Sequence, residues 1–276
     1  MFDELLIAVD GSDCARTAAK YGLELAATYD ADVEVVTVYG GDTERGQAIL
    51  DDIADMAGDV GVTVGTELLA GKPAKAITAR AGERSADLIV VGRRGRSGVR
   101  ARLLGTVTER VLRRSPVPVL TVPEGDVESD TGTAWKRSRD DRRQRTRRGG
   151  GPYGADLARR FDAALHVLNV VDIQAEAGVF DAGGVDREYI ERLETRGHQA
   201  VDELVAAVDA SDLDVRRAVV RGAAHDAIGE YVDENGVDVV VMSSEGQSNL
   251  AGQQLGTVAG RVLRTVDEPV LVVTED

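Results

Sequence analysis

Short apolar runs alternate with helix-patterned segments through the first 125 residues, and this alternation limits the folds open to the chain. Leu5–Val9 ends at an Asp-Gly turn, as a buried parallel strand does, and residues 13–28 repeat small and apolar residues at helical spacing. Further strands are predicted at 33–38, 62–69, 87–91 and 117–122, with helices at 44–59, 73–83 and 104–114. Pro116 and Pro118 indicate that the last strand is an edge. Such alternation predicts a parallel sheet with helices on both faces.

The second half of the chain repeats the first. The segment 161–171 parallels 29–38 at an offset of 132 residues, and Asp238–Met242 parallels Asp87–Val91 at an offset of 151. Glu268-Pro269 parallels Ser115-Pro116, with a slip from that offset. We therefore predict two tandem doubly wound α/β domains, residues 1–124 and 153–276, joined by residues 125–152.

Composition narrows the class of protein. The formal net charge is −15, and only four of the 33 basic residues are lysine, which is typical of a protein from a high-salt cytoplasm. So negative a chain is not expected to bind nucleic acid or an anionic membrane without sequence specificity. The single cysteine excludes a disulfide framework, and neither a membrane span nor a leader is visible. A cytoplasmic location is expected.

A glycine-rich segment follows the fourth predicted strand. It has the spacing Gly-x2-Gly-x9-Gly-Thr, formed by Gly92, Gly95 and Gly105-Thr106. Glycines let backbone N–H groups approach an anion closely, and Thr106 could cap the next helix or donate its hydroxyl to a phosphate. Arg93, Arg94 and Arg96 would supply cations. A turn that merely links strand and helix is the simpler reading of any one of these glycines.

Asp10 closes the first predicted strand in Asp10-Gly11-Ser12, where a plain turn with a helix cap is also expected. If the strand order is 3-2-1-4-5, strands 1 and 4 flank the topological switch point, where open α/β sheets bind ligands. Asp10 and Gly92 lie at those two strand ends. An acceptor for a base or ribose beside an anion cradle describes a nucleotide site.

At these residues the sequence resembles the universal stress protein family, in a tandem form that covers both halves. The resemblance implies a five-stranded parallel sheet of order 3-2-1-4-5 in each half, ATP bound by the first copy, and Mg²⁺ bridging the phosphates. It also implies pairing of the copies through residues 117–122 and 269–274, as an internal pseudo-dimer. The nucleotide-binding residues that it implies are Asp10, Val38, Gly92, Gly95, Arg96, Gly105, Thr106 and Val107.

The second copy departs from the pattern. Ser243 replaces the first glycine, while Gly246 and Gly256-Thr257 remain. Glu245, Gln247 and Gln253 stand where the first copy has arginines, and no Asp-Gly-Ser marks a first strand. We therefore expect nucleotide in the first copy alone.

Two functions of different classes stay open. One is an ATP-binding regulatory protein of the stress response; the other is an interaction scaffold for client proteins that binds no nucleotide. No nucleophile–base pair, Walker lysine or carboxylate dyad accompanies the glycines, so we predict no catalytic residue and no protein-held metal. Slow hydrolysis of ATP stays open.

The segment 134–153 differs in composition from the rest of the chain. Residues 134–148 hold eight Lys or Arg and two Asp, and the only tryptophan, Trp135, lies there. A basic linker or nucleic-acid patch is the simpler interpretation. Our hypothesis is instead a wrong-frame translation of the second copy's first strand and helix, with Arg142 in the place of Asp10. Reading adjacent codons one base later from Arg137 permits Val-Leu-Val-Thr-Thr-Asp-Gly-Ser. As written, the second copy should lack a proper central strand, which would weaken its sheet and leave its nucleotide crevice unformed.

Overall fold

The computed structural model describes residues 1–94, 103–125, 149–173, 187–244 and 255–274, and the backbone of residues 143–146. The first copy alternates strands and helices as the sequence predicts. Its strands are β1 (Glu4–Val9), β2 (Asp32–Tyr39), β3 (Val64–Ala70), β4 (Leu88–Gly92) and β5 (Val119–Val122). Its helices are α1 (Asp13–Tyr29), α2 (Thr43–Asp59), α3 (Pro73–Arg84) and α4 (Thr106–Leu112).

Local chemistry sets the ends of these helices. Ser12 caps α1, because its hydroxyl oxygen accepts a hydrogen bond from the Ala15 amide at 3.2 Å. Asp30 ends α1 in the left-handed conformation, with φ 56°, and its N–H donates to the carbonyl of Ala26. Pro73 stands in the first turn of α3, where the missing N–H costs nothing. The turn after β1 is therefore held rigidly against the start of α1.

The second copy begins earlier than the sequence predicts. A four-residue strand, Arg143–Thr146, lies inside the segment assigned to the linker. Its strands are β6 (Arg143–Thr146), β7 (Ala164–Val171), β8 (Val215–Arg221), β9 (Val239–Ser243) and β10 (Val270–Val273). Its helices are α5 (Gly151–Phe161), α6 (Arg187–Ala207), α7 (Ala224–Asn235) and α8 (Thr257–Thr265).

β6 occupies the central position of the second copy, parallel to both β7 and β9. A central strand is therefore present where the sequence predicts that a proper one is lacking, but it is irregular as expected, since it is two residues shorter than β1. Its register also differs from the expected one. Arg143 lies opposite Ala164, as Glu4 lies opposite Asp32. The expected offset of 132 residues would have put residue 136 in that place.

All ten described strands form one sheet, in the order β3-β2-β1-β4-β5-β10-β9-β6-β7-β8. Each copy contributes a parallel half of order 3-2-1-4-5. The halves join where β5 pairs antiparallel with β10, with Leu120 opposite Leu271. This confirms the predicted pairing of the copies. β5 is thus an edge of its own copy only, and Pro116 and Pro118 precede it.

The junction has a pseudo-two-fold axis. Leu271 is 151 residues beyond Leu120, so structurally equivalent positions face each other there. The carbonyls of Pro118 and Pro269 accept equivalent hydrogen bonds, from Ile89 and Val240. The offset of 151 therefore holds through this strand, and the slip expected from the sequence is wrong.

The apolar core continues across the junction. One cluster joins Leu5, Leu23 and Leu50 of the first copy to Val241 and Leu271 of the second. The cluster on the opposite face of the sheet likewise draws on both copies. Within the described part of the chain, no helix is long and apolar enough to cross a membrane.

Candidate nucleotide site

Three of the predicted site residues meet at one edge of the sheet. β1 lies between β2 and β4, with Val9 opposite Thr37 and Ala8 opposite Val91. Asp10 follows Val9, Val38 follows Thr37, and Gly92 follows Val91 as the last residue of β4. The carboxyl ends of β1, β2 and β4 therefore place Asp10, Val38 and Gly92 side by side at the switch point.

Asp10 is oriented by the residue that caps α1. Its Oδ1 accepts hydrogen bonds from the Ser12 hydroxyl at 2.6 Å and from the Ser12 amide at 3.0 Å. Gly11 between them has φ 77°, which a residue with a side chain rarely adopts. The expected turn with a helix cap is therefore present, and it holds the carboxylate in one orientation.

Gly92 is a packing residue in this structure. A Cβ built on it would lie 3.0 Å from the backbone of Cys14 and from the Ala15 nitrogen, in the first turn of α1. The absence of a side chain thus lets α1 lie directly against the end of β4. The end of β4 is also bonded to α4, because the buried Thr108 hydroxyl donates to the Gly92 carbonyl at 2.8 Å.

Gly105 brings the start of α4 to the end of β4. Its amide donates to the Arg93 carbonyl at 2.9 Å, and a Cβ on it would lie 3.3 Å from that oxygen. Gly105 is the N-cap of α4, so Thr106 is the first helical residue and does not cap the helix. Thr106 and Val107 are exposed at this end, where the first amides of a helix have no intrahelical acceptor. Gly95 and Arg96 lie outside the described residues.

The two described arginines of the segment interact with other groups of the protein. Arg93 is buried, and its guanidinium donates to the carbonyls of Val266 and Glu268 in the second copy. Arg94 lies 3.4 Å from the carboxylate of Glu124. The expectation that Arg93 supplies a cation to an anion cradle is therefore wrong, since its guanidinium binds carbonyls of the second copy instead.

The first amides of the segment are also occupied. The Arg93 amide donates to the Val122 carbonyl at 2.6 Å, and the Arg94 amide donates to Cys14 Sγ at 3.3 Å. Cys14 in turn donates to Val122, and burial raises the pKa of its thiol. A phosphate would therefore have to be met further along, by the first turn of α4 or by residues beyond Arg94.

A cavity of about 290 Å³ adjoins this edge on the α1 face of the sheet. It lies between the start of α1 and the side of α2, and it shares Gly11 and Ser12 with the turn after β1. Two arginines and two aspartates line this cavity. Arg16 forms an ion pair with Asp52, and the other two are Arg45 and Asp13. The charges balance, so this cavity offers no net attraction to a polyphosphate.

The second copy keeps the strand-to-helix backbone but not the rest of the site. Gly256 donates to the Ser244 carbonyl at 2.6 Å, as Gly105 does to Arg93. In the shared register Gly149 falls in the place of Asp10, and α5 is six residues shorter than α1. The second copy therefore has no carboxylate in the place of Asp10.

Among the described residues, no group of three or more His, Cys, Asp or Glu could hold a metal ion. The carboxylates at this edge therefore do not form a cation cage. A divalent ion at the site would depend on oxygen atoms that the ligand itself supplies.

Comparison with known proteins identifies the family. The sequence profile described as "Universal stress protein family" matches residues 1–52, 41–123 and 153–274. The chain belongs to the universal stress protein family. Universal stress protein MJ0531 of Methanocaldococcus jannaschii is 35% identical over 142 residues, which span 44% of this chain and 82% of that protein. Universal stress protein YxiE of Bacillus subtilis is 30% identical over 148 residues, 44% of this chain and 99% of its own.

A solved structure has the same fold over nearly the whole chain. The crystal structure of a universal stress protein from Archaeoglobus fulgidus aligns with 99% of this chain and 98% of its own, with a TM-score of 0.71. At 20% identity that likeness shows the shared fold. Relatives of half the length therefore match one copy of this universal stress protein, and this longer relative matches both.

Proposed function

We propose that the first copy binds ATP at the switch point and that the protein acts as a nucleotide-dependent regulator of the stress response. The observation that carries the proposal is the convergence of Asp10, Val38, Gly92 and the Gly105–Val107 turn on one edge of the sheet. Asp10 would accept from the base or ribose, and Val38 would contact the apolar face of the base. The Gly105–Val107 turn and residues 95–96 would face the phosphates, with Mg²⁺ bridging them.

The residues present fit such a ligand. The Ser12 bonds hold the Asp10 carboxylate in a fixed orientation, so binding costs little side-chain entropy. Gly105 leaves the start of α4 close to the strand end without a side chain in the way. The second copy lacks the equivalent of Asp10 and has Ser243 in the place of Gly92, so we propose one nucleotide per chain.

Calorimetric titration with Mg-ATP in high salt tests the proposal. Gly105→Val places a branched side chain at the phosphate end, and Asp10→Ala removes the acceptor; each should weaken binding at least tenfold. Gly256→Val in the second copy is the matched control, because Gly256 makes the same backbone bond as Gly105. It should leave the affinity and the stoichiometry of one unchanged. Equal binding by all three variants would mean that the site is wrongly assigned.

The alternative of a scaffold without nucleotide is favoured by one observation. The described amides at the start of the glycine segment already bond within the protein. Extraction of the purified protein and chromatography of the released nucleotides separates the two functions. Co-purifying ATP supports the nucleotide-dependent regulator. Absence of nucleotide together with no heat of binding supports the scaffold.

A further inference from the structure

The Arg93 side chain crosses from one copy into the other. It is 5% exposed, and its two terminal nitrogens donate to the carbonyls of Val266 and Glu268, the latter at 2.5 Å. Val266 is the residue that ends α8, so the cation lies at the negative end of that helix. The main chain of Arg93 is also held in place. Its amide donates to the Val122 carbonyl, and its carbonyl accepts from the Gly105 amide.

The Nε of Arg93 and one carboxylate oxygen of Glu268 are buried without a hydrogen-bond partner among the described residues. Burial lowers the pKa of Arg93 to about 10, because desolvation disfavours the charged guanidinium. The two carbonyls and the guanidinium therefore depend on each other.

The pseudo-two-fold axis reveals that this arrangement is one-sided. The position equivalent to Arg93 is Ser244, which makes the same backbone bonds, to Val273 at 2.7 Å and from Gly256 at 2.6 Å. The positions equivalent to Val266 and Glu268 are Ser115 and Val117. There the Ser115 hydroxyl donates to the Val117 carbonyl at 2.6 Å, so that turn satisfies its own acceptor.

Each copy thus carries half of an unlike pair. The first copy brings a long buried donor and a turn that is bonded internally. The second copy brings open carbonyls and a short serine. Thr121 adds to the asymmetry, because its hydroxyl donates to the Val270 carbonyl at 3.2 Å, whereas the equivalent residue of the second copy is Val272.

We propose that Arg93 makes the β5–β10 interface selective for a first copy paired with a second copy. Two second copies would place the carbonyls of Val266 and Glu268 opposite a serine, without a guanidinium. Two first copies would bury two arginines against turns that are already bonded. Either like pairing leaves buried polar groups unmatched, which is how unwanted partners are rejected.

Hydrogen exchange of the full-length chain, followed by mass spectrometry, tests the role of Arg93. In Arg93→Ser the peptides of β5 and β10 should exchange about tenfold faster or more, while those of β2 and β7 stay as in the parent. Arg93→Lys keeps one donor and should be intermediate. Arg113→Ser is the matched control, because that arginine is exposed and, among the described residues, forms its ion pair with Glu109 of the same helical turn. It should exchange like the parent.

The swap Arg93→Ser with Ser244→Arg tests selectivity itself. The carbonyls of Val266 and Glu268 still lack a donor in the swapped chain, so parental protection of β5 and β10 should not return. Restored protection would overturn the proposal, since any buried cation at the junction would then suffice. Unchanged exchange in Arg93→Ser would overturn it too. If Arg93→Ser does not fold, faster exchange confined to β5 and β10 in Arg93→Lys supports the proposal, and parental exchange there overturns it.

Discussion

Single residues at the switch point serve the fold and the site together. Ser12 caps α1 and orients Asp10 with the same hydroxyl, accepting one hydrogen bond and donating another. Gly92 ends β4 and admits the first turn of α1. Substitutions here will therefore affect stability as well as binding, and a test of either needs a control for the other.

Gly92→Ala measures the packing role of this glycine. The added methyl group would meet backbone atoms of Cys14 and Ala15 at 3.0 Å, and backbone cannot move aside as a flexible side chain can. We expect the free energy of unfolding to fall by about 1–3 kcal/mol in urea denaturation. Gly82→Ala is the control, because nothing lies within 4 Å of its added Cβ and alanine favours a helix. Equal stability of the two variants would contradict this packing role.

The sequence predicts much at the residue scale, but not the place of Arg93. The positions of Asp10, Gly92 and Gly105 at strand ends and turns could be predicted, because such positions follow from local sequence patterns. Arg93 stands among glycines and arginines that suggest an anion cradle, yet its acceptors lie 173 and 175 residues away. No local pattern encodes such a contact. The one available signal was the repeat itself, which shows arginine in one copy and serine in the other.

At the scale of elements, β6 is the irregular member of the sheet. Its sequence, Arg-Gln-Arg-Thr, is polar throughout, whereas central strands of parallel sheets are normally apolar. The first-copy equivalents, Glu4–Ile7, contain three apolar residues. The strands and helices on either side of this segment were predictable from their patterns. β6 was not, since its composition indicates a linker.

The coding DNA decides whether this segment belongs to the native protein. If it was translated in the wrong frame, the gene should show compensating single-base shifts near codons 134 and 154. A chain carrying Val-Leu-Val-Thr-Thr-Asp-Gly-Ser in place of residues 137–144 should then gain apolar burial in a central strand and melt at a higher temperature. An uninterrupted reading frame, or a restored chain that melts no higher, leaves the basic segment as native sequence.

At the scale of the whole molecule, the two copies form one structural unit. The sheet runs unbroken across β5 and β10, and both large apolar clusters include residues of each copy. We therefore expect a single calorimetric unfolding transition, with the van't Hoff enthalpy equal to the calorimetric one. Two resolved transitions would show that the copies unfold independently.

Tyrosines of α1 make this unit sensitive to alkaline pH. The Tyr29 hydroxyl donates to Asp156 of α5 at 2.6 Å, and burial followed by this bond raises the pKa of Tyr29. Burial, with smaller contributions from Glu24 and from Asp238 and Glu268 of the second copy, raises the pKa of Tyr21 to about 12. An acid with a raised folded-state pKa contributes stability that is complete below its unfolded value near 10 and is lost above it.

The free energy of unfolding should therefore fall as pH rises from 10 to 12. Each tyrosine contributes a slope of about 1.4 kcal/mol per pH unit at most, because one proton separates the folded from the unfolded state. Arg93 acts in the opposite sense above pH 10, so the comparison of variants carries the test. Tyr21→Phe should lose one tyrosine's share of the slope in urea denaturation between pH 8 and pH 12. If the free energy of unfolding falls with pH as steeply in Tyr21→Phe as in the parent, Tyr21 ionises as readily in the folded chain as in the unfolded one. Its hydroxyl would then be accessible to water at the contact between α1 and the second copy.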